Sequence, residues 1–369
     1  MICLIQALMI TGCTEAKTGQ SYDSAGENSF AIQKIVSGLN VPWGMAFISE
    51  REMLITERQG TIKKLNLDSG ELTDIAGAPE VLARGQGGLM DVRTSPNYSD
   101  DGWLYFTYSK KMGTDAATAL ARSRFDGSSL IDFEELFVSN HSSSAAKHFG
   151  SRIAFDGKGH IFFGVGERGS RPTAQDLADH SGSIIRLNLD GSVPPDNPFV
   201  GRDNAMPEIW SYGHRNPQGL AYDPETDRLW DIEHGPRGGD EINLVEPGNN
   251  YGWPVISYGR EYREDKMVGE STHKEGMEQP IKYYVPSIAP SSLLFYSGEY
   301  YPEFKGDLLA GALALTHLNQ INLDDSGKPE RETRHFEGMN ERIRNVVQGP
   351  DGKIYLSTDS GKLLVLNRQ

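Results

Sequence analysis

The stretch G-L-A-Y-D-P-E-T-D-R-L-W-D-I, residues 219–232, governs the reading of the whole chain. Two short apolar alternations, Gly219–Tyr222 and Leu229–Ile232, flank the turn Asp223–Asp227. Period-two hydrophobicity on both sides of a Pro/Asp turn is the pattern of a β-hairpin. Just before the first strand stand a cation and an amide, Arg215 and Asn216. Just after the second comes a Gly-Pro-rich loop, His234–Gly239, with exposed backbone carbonyls. A hairpin is a rigid support, and the irregular segments at its ends are where such folds carry chemistry.

The hairpin recurs along the chain, each time followed by a further strand. The copies begin at Trp43–Phe47, Leu89–Thr94, Ser151–Phe155, Gly219–Tyr222, Ser291–Tyr296 and Ile343–Gln348. Aligned at Phe47, Thr94, Phe155, Tyr222, Leu294 and Gln348, they are spaced by about 60 residues on average, slightly more than a kelch-sized blade. A repeat of three or four strands cannot bury itself alone, so the copies must stack radially. The expected fold is all-β, a six-bladed β-propeller occupying residues 29–369. A tandem of β-sandwiches lacks such regular repetition. The inserts Asp196–Pro207 and Arg260–Pro280 read as loops on one face.

The chain has 369 residues and a formal net charge of -15, which opposes binding to a nucleic-acid backbone or an anionic membrane. Residues 1–12 are uncharged and mostly apolar, and small residues precede Cys13, as in a bacterial lipoprotein signal. The basic residues that usually begin such signals are missing. Residues 13–28 read as a tether, with a lipid anchor expected at Cys13. This points to an exported protein, periplasmic or anchored at the outer membrane. Both cysteines, Cys3 and Cys13, precede the propeller, which excludes disulfides and thiolate metal sites from it.

In a propeller the loops leading into the first strands gather at one mouth of the central channel. Here they contain Gln86, His148, Arg215 with Asn216, Ser287, and Arg342 with Arg344. A polar ring with three arginines suits a small anion, because guanidinium binds carboxylates through two parallel hydrogen bonds. His148 is the best general-base candidate, with Glu167 at the next strand end able to orient it. His214 and His234 rank behind it. Asp240, Glu241 and the turn at Tyr251 offer hard oxygen ligands of the kind Ca²⁺ takes. Zinc, serine-hydrolase and nucleotide motifs are absent.

The chain resembles the soluble pyrroloquinoline quinone (PQQ)-dependent aldose sugar dehydrogenases of the glucose/sorbosone type. These are six-bladed propellers of the bacterial periplasm. The resemblance runs from about Val36 to Leu366. It is carried by V-P-W-G-M-A-F, G-Q-G-G-L-M-D-V, H-F-G-S-R-I-A-F-D, G-H-R-N-P-Q-G-L-A, H-G-P-R-G-G-D-E-I-N-L, N-Y-G-W-P, P-S-I-A-P-S-S and R-I-R-N-V-V-Q-G-P-D-G.

The resemblance implies that His148 takes the proton of the sugar's anomeric hydroxyl while Arg215 stabilises charge at the quinone. It implies cofactor contacts from Gln86, Asn216, Ser287, Arg342 and Arg344. It implies one Ca²⁺ on the carbonyls of Gly235 and Pro236, and a second at Glu241 and the Tyr251 carbonyl. Sugar contacts are expected from Gln175, Asp176, Tyr283 and Tyr284, and electrons would leave to a quinone or cytochrome. There are two departures. Blade five carries Ala312-Leu313-Ala314 where relatives often have a cofactor-binding Lys, and the partner of the base is Glu167 where Asp is usual. The alternatives are a Ca²⁺-dependent lactonase-like hydrolase and a non-catalytic carbohydrate- or partner-binding propeller.

Overall fold

The computed structural model describes residues 30–369. The expectations at residues 1–28, the lipoprotein signal, Cys13 and the tether, lie outside the described residues. Within them the chain forms six four-stranded antiparallel sheets, the blades of a propeller. A first strand, β1 (Phe30–Val36), precedes blade one, which is β2 (Pro42–Phe47), β3 (Glu52–Glu57), β4 (Thr61–Asn66) and β5 (Leu72–Ile75). Blade two is β6 (Leu89–Thr94), β7 (Trp103–Met112), β8 (Asp115–Phe125) and β9 (Leu130–Val138). Blade three is β10 (Ile153–Phe155), β11 (His160–Val165), β12 (Ser183–Asn188) and β13 (Ile209–Tyr212). Blade four is β14 (Pro217–Asp223), β15 (Arg228–Glu233), β16 (Asp240–Val245) and β17 (Lys282–Tyr284). Blade five is β18 (Pro290–Phe295), β19 (Leu308–Ala312), β20 (Leu318–Leu323) and β21 (Pro329–His335). Blade six is β22 (Ile343–Gln348), β23 (Ile354–Thr358) and β24 (Leu363–Arg368), completed by β1. The ring closes where β1 lies antiparallel to β24, with Phe30 opposite Arg368 and Ile32 opposite Leu366.

The strands read as unbroken apolar runs because neighbouring blades cover both of their faces. In β3, Met53 and Ile55 pack against blade six while Leu54 packs against blade two, as the two-residue alternation of a strand requires. Each junction between adjacent blades holds its own apolar cluster. The two inserts separate. Asp196–Pro207 stays by blade three, where Asn197 accepts a hydrogen bond from Arg186. The other insert reaches the mouth, where Glu261 forms a bidentate ion pair with Arg171.

Halfway down the channel a single side chain joins all the blades. Arg152, just before β10, is 1% exposed. Its Nε donates to the carbonyls of Gln218 (3.2 Å) and Ser291 (3.1 Å). Its Nη1 donates to the Trp43 carbonyl and to Asp91 Oδ1, both at 3.1 Å. Its Nη2 donates to the carbonyls of Ser291 (3.0 Å) and Arg344 (2.7 Å). The guanidinium also stacks 3.9 Å above the Trp43 ring. Those partners belong to the innermost strands of the other five blades. The channel is thereby stopped, with a cavity lined by arginines on the mouth side and one walled by Phe155, Leu220, Leu293 and Arg93 on the other.

Candidate functional site

Blade three supplies the base candidate. His148 lies in the loop before β10 with φ of 56°, in the left-handed region. A Cβ on Gly166 would fall 2.2 Å from the His148 carbonyl oxygen, so only glycine there lets the loop lie against the end of β11. The His148 main-chain N–H donates to Gln86 Oε1 at 2.7 Å. Its Nδ1 shares a short hydrogen bond with Glu167 Oε1. The Glu167 N–H donates to the Arg215 carbonyl at 2.9 Å, which ties blade three to blade four.

Burial pulls the His148 imidazole down to about 4, against the raising effect of Glu167 and with help from the Arg215 charge. Burial pushes Glu167 up, but the hydrogen bond and charge of His148 outweigh it, and the carboxyl sits below its ordinary value. At neutral pH the pair is therefore a neutral imidazole beside a carboxylate. The Nδ1 hydrogen points to Glu167 and the Nε2 lone pair is left to accept a proton.

Blade four supplies the cation. The main-chain N–H groups of Arg215 and Asn216 both donate to Glu233 Oε2, at 2.6 and 3.0 Å. The other Glu233 oxygen faces His214 Nδ1 at 3.2 Å, and Asp231 faces it at 3.3 Å. His214 Nε2 meets Ser211 Oγ at 2.9 Å. Burial would lower His214, but the two carboxylates prevail and raise it to about 9. This trio is the one His/Asp/Glu cluster among the described residues close enough to grip a cation, and its carboxylates face His214 Nδ1. It anchors the Arg215-Asn216 backbone. The Arg215 guanidinium donates to the carbonyls of His234 (2.9 Å) and Gly235 (2.8 Å) and lies 5.1 Å from the Trp253 ring centre. Asn216 accepts from the Gly150 N–H at 3.2 Å, while its buried Nδ2 has no partner.

The mouth-side cavity holds about 270 Å³ and is lined by Gln86, Phe149, His234, Arg342, Arg344 and Asp359, among others. Arg342 Nε donates to Asp359 at 2.8 Å, and Arg344 donates twice, at 2.7 and 3.0 Å. Burial acts to raise Asp359, but the two guanidinium groups hold it low. His234 Nε2 bonds the Pro290 carbonyl at 2.5 Å. Burial pulls His234 down to about 3, and the charges of Arg215, His148 and Arg344 add to the effect. Groups from blades three, four and six thus act on one ring in the cavity wall. The structure brings together Gln86, His148, Glu167, Arg215, Asn216, Arg342 and Arg344.

Other expected contacts do not point into this space. The Ser287 hydroxyl donates to Asp240 Oδ2 at 2.7 Å, so it braces the loop in place of facing a cofactor. The Gln175 amide is spent on Asn250 and the Trp253 carbonyl. Asp176 is exposed and accepts the Ala178 N–H of its own turn. Tyr284, 4% exposed, lies in the core between blades four and five with its hydroxyl bonded to Asn319, which removes it from sugar contact. Its neighbour Tyr283, 49% exposed, stacks on Tyr258 at 3.9 Å.

Of the expected metal ligands, Gly235, Glu241 and Tyr251 border one small opening. The Gly235 carbonyl accepts from Arg215 and keeps a second lone pair. Glu241, opposite Glu233 across the strand ladder, is raised well above the carboxylate range by burial and by repulsion from Glu233 and Asp231. It borders an opening of about 10 Å³ shared with Glu233, Gly239 and Tyr251, room for about one atom. A lactonase-like hydrolase would need several carboxylates converging on the axis. Here the cavity wall contributes Asp359, already claimed by two arginines.

Glu233, Asp359 and Arg58, a further residue of the cavity wall, were not among the site residues expected from the sequence, and His234 was expected only as a lesser base candidate. They sit at or beside turns between second and third strands, which return to the same mouth as the lead-in loops. That topological rule, applied to each hairpin, finds them.

A family model described as glucose/sorbosone dehydrogenase matches residues 39–365. An aldose sugar dehydrogenase of Escherichia coli is 39% identical over 341 residues, covering 90% of this chain and 91% of the relative. The crystal structure of a soluble aldose sugar dehydrogenase from Escherichia coli in the apo form aligns with a TM-score of 0.89 at 37% identity, over 92% of this chain and 100% of the other. The PQQ-bound aldose sugar dehydrogenase of Streptomyces coelicolor aligns with a TM-score of 0.77 at 27% identity, over 94% and 100%.

Proposed function

Because the chain belongs to the glucose/sorbosone dehydrogenase family of propeller sugar oxidoreductases, we propose that it oxidises the C1 hydroxyl of aldoses to the lactone. The observation that carries this reading is the His148–Glu167 pair with Arg215, bonded to Gln86 and His234 of a cavity lined by guanidinium groups. PQQ, when bound, would supply the quinone that accepts the hydride, and with it both electrons, from the anomeric carbon.

The chain's own residues do the rest. His148 accepts the hydroxyl proton at Nε2, and Glu167 holds the imidazole in the tautomer that leaves that nitrogen free. Gln86 fixes the His148 backbone and so sets the height of the ring. Arg215 presents a preorganised positive charge whose backbone is locked by Glu233, the arrangement that stabilises developing negative charge. Arg342 and Arg344 hold carboxylates of the cofactor with the N–H groups that Asp359 leaves free.

The donor set also fits calcium. The carbonyls of Gly235 and Pro236 would hold one Ca²⁺ near the quinone, where it would polarise a carbonyl. Glu241 and the Tyr251 carbonyl would hold a second, which would relieve the repulsion among Glu241, Glu233 and Asp231. Electrons leave to a quinone or cytochrome acceptor. Residues 1–28 fit export and lipid anchoring at Cys13. The test is dye reduction with glucose by purified apo-protein given PQQ and Ca²⁺. His148→Ala abolishes turnover and keeps PQQ binding. Lactone hydrolysis without PQQ, or turnover undiminished in His148→Ala, overturns the reading.

A further inference from the structure

The charge balance of the mouth-side cavity identifies an anchor on blade one. Three guanidinium groups line this cavity, those of Arg58, Arg342 and Arg344, against the single carboxylate of Asp359. Arg342 and Arg344 are both paired with Asp359. Arg58 forms no ion pair among the described residues, and its one side-chain hydrogen bond runs from Nη1 to the Gly85 carbonyl at 2.7 Å. The adjacent acid does not serve it: Glu57 accepts from the Asn40 N–H at 2.6 Å and the Thr61 hydroxyl at 2.5 Å. A guanidinium carries five N–H donors, so Arg58 keeps enough for a two-pronged grip on a carboxylate.

Its backbone is held where such a grip requires. The Arg58 N–H donates to Val41 at 3.2 Å and its carbonyl accepts from Leu89 at 3.1 Å. A Cβ on Gly88 would fall 1.9 Å from that carbonyl, so the turn is seated against the segment that carries Gln86. Blade five contributes the apolar Leu313 to the same wall. The excess of two positive charges in the wall suits an acid with several carboxylates and serves no purpose for a neutral sugar.

We infer that Arg58 binds a carboxylate of the polycarboxylate cofactor from blade one, separately from the Arg342–Asp359–Arg344 group of blade six. This rests on the PQQ reading above. The test is a titration of apo-protein with PQQ at fixed Ca²⁺, followed by quenching of tryptophan fluorescence, since Trp43 lines the same cavity. Wild type, Arg58→Met and Arg58→Lys are compared. Arg58→Met weakens PQQ binding by about tenfold to a hundredfold, and Arg58→Lys recovers part of the loss. The salt dependence of binding is shallower in Arg58→Met, and the apo-proteins melt together. Affinity in Arg58→Met within about twofold of wild type overturns the inference, as does a loss that tracks a lowered melting temperature of the apo-protein. A wild type that takes up no PQQ overturns the functional reading itself, which separates the two failures.

Discussion

Replacing Arg152 with Met isolates the contribution of the side chain at the centre of the ring. The substitution keeps an unbranched chain of similar length and removes all the hydrogen bonds by which this side chain joins the innermost strands. Asp91, 0% exposed, loses its buried partner, and the carbonyls of Trp43, Gln218, Ser291 and Arg344 lose a donor. Breaking a buried ion pair on one side costs about 3–5 kcal/mol. For a chain of this length, at about 2.1 cal/mol/K of unfolding entropy per residue, that lowers the melting temperature by about 4–7 °C. Calorimetry of the apo-protein reads the shift directly. Adding Asp91→Asn to Arg152→Met recovers part of it, because the buried carboxylate, left with Arg93 at 3.6 Å as its one cation, is then gone. Arg152→Lys recovers less than its charge suggests, since an ammonium cannot reach carbonyls on opposite sides of the channel in one plane. A melting temperature for Arg152→Met within about 1 °C of wild type refutes the argument.

Three further outcomes follow from the site. With His148 lowered to about 4, kcat/KM falls only as pH drops toward that value; Glu167→Gln removes the effect that raises the imidazole. The acid limb then moves to lower pH while kcat falls by about a hundredfold or more, as read from pH–rate profiles of both proteins. Calcium at 100 times its Kd stabilises the wild type by about 2.7 kcal/mol, and Glu241→Gln loses the part owed to its site, measured as the Ca²⁺-dependent rise in melting temperature. His214, raised to about 9, contributes stability that is fully present below the unfolded value of about 6.5 and is lost as pH rises through its folded value. Melting curves between about pH 6 and pH 10 therefore show an alkaline decline that His214→Gln lacks.

The blades were legible because burial on both faces leaves apolar runs that recur with each blade, and the first strands start within two residues of where those runs place them. The outermost strands were not. In β9, Leu130 and Phe137 are buried while Ile131–Glu135 are exposed, so the run carries no apolar alternation. His148, Glu167, Arg215 and the blade-six arginines could be found because the loops leading into first strands share one mouth. Direction was the harder matter. Tyr283 and Tyr284 are neighbours in β17 and leave it on opposite faces, one into solvent and one into the core. Ser287 reaches the mouth, but Asp240, from a strand 47 residues earlier, takes its hydroxyl. Arg152 gave no sign at all. One arginine ahead of an apolar strand looks ordinary until five other strands converge on it.

The pairing of β1 with β24 also decides how the ring can be cut. Phe30 and Arg368 face each other across one ladder rung, so a short linker would bridge the ends of the described chain. The backbone could then be opened at another hairpin, such as the exposed turn at Gly113, and every blade would keep its neighbours. A circular permutant made this way would reach the same closed ring with a different blade holding the seam. The order in which blades are synthesised is thus separable from the architecture they build.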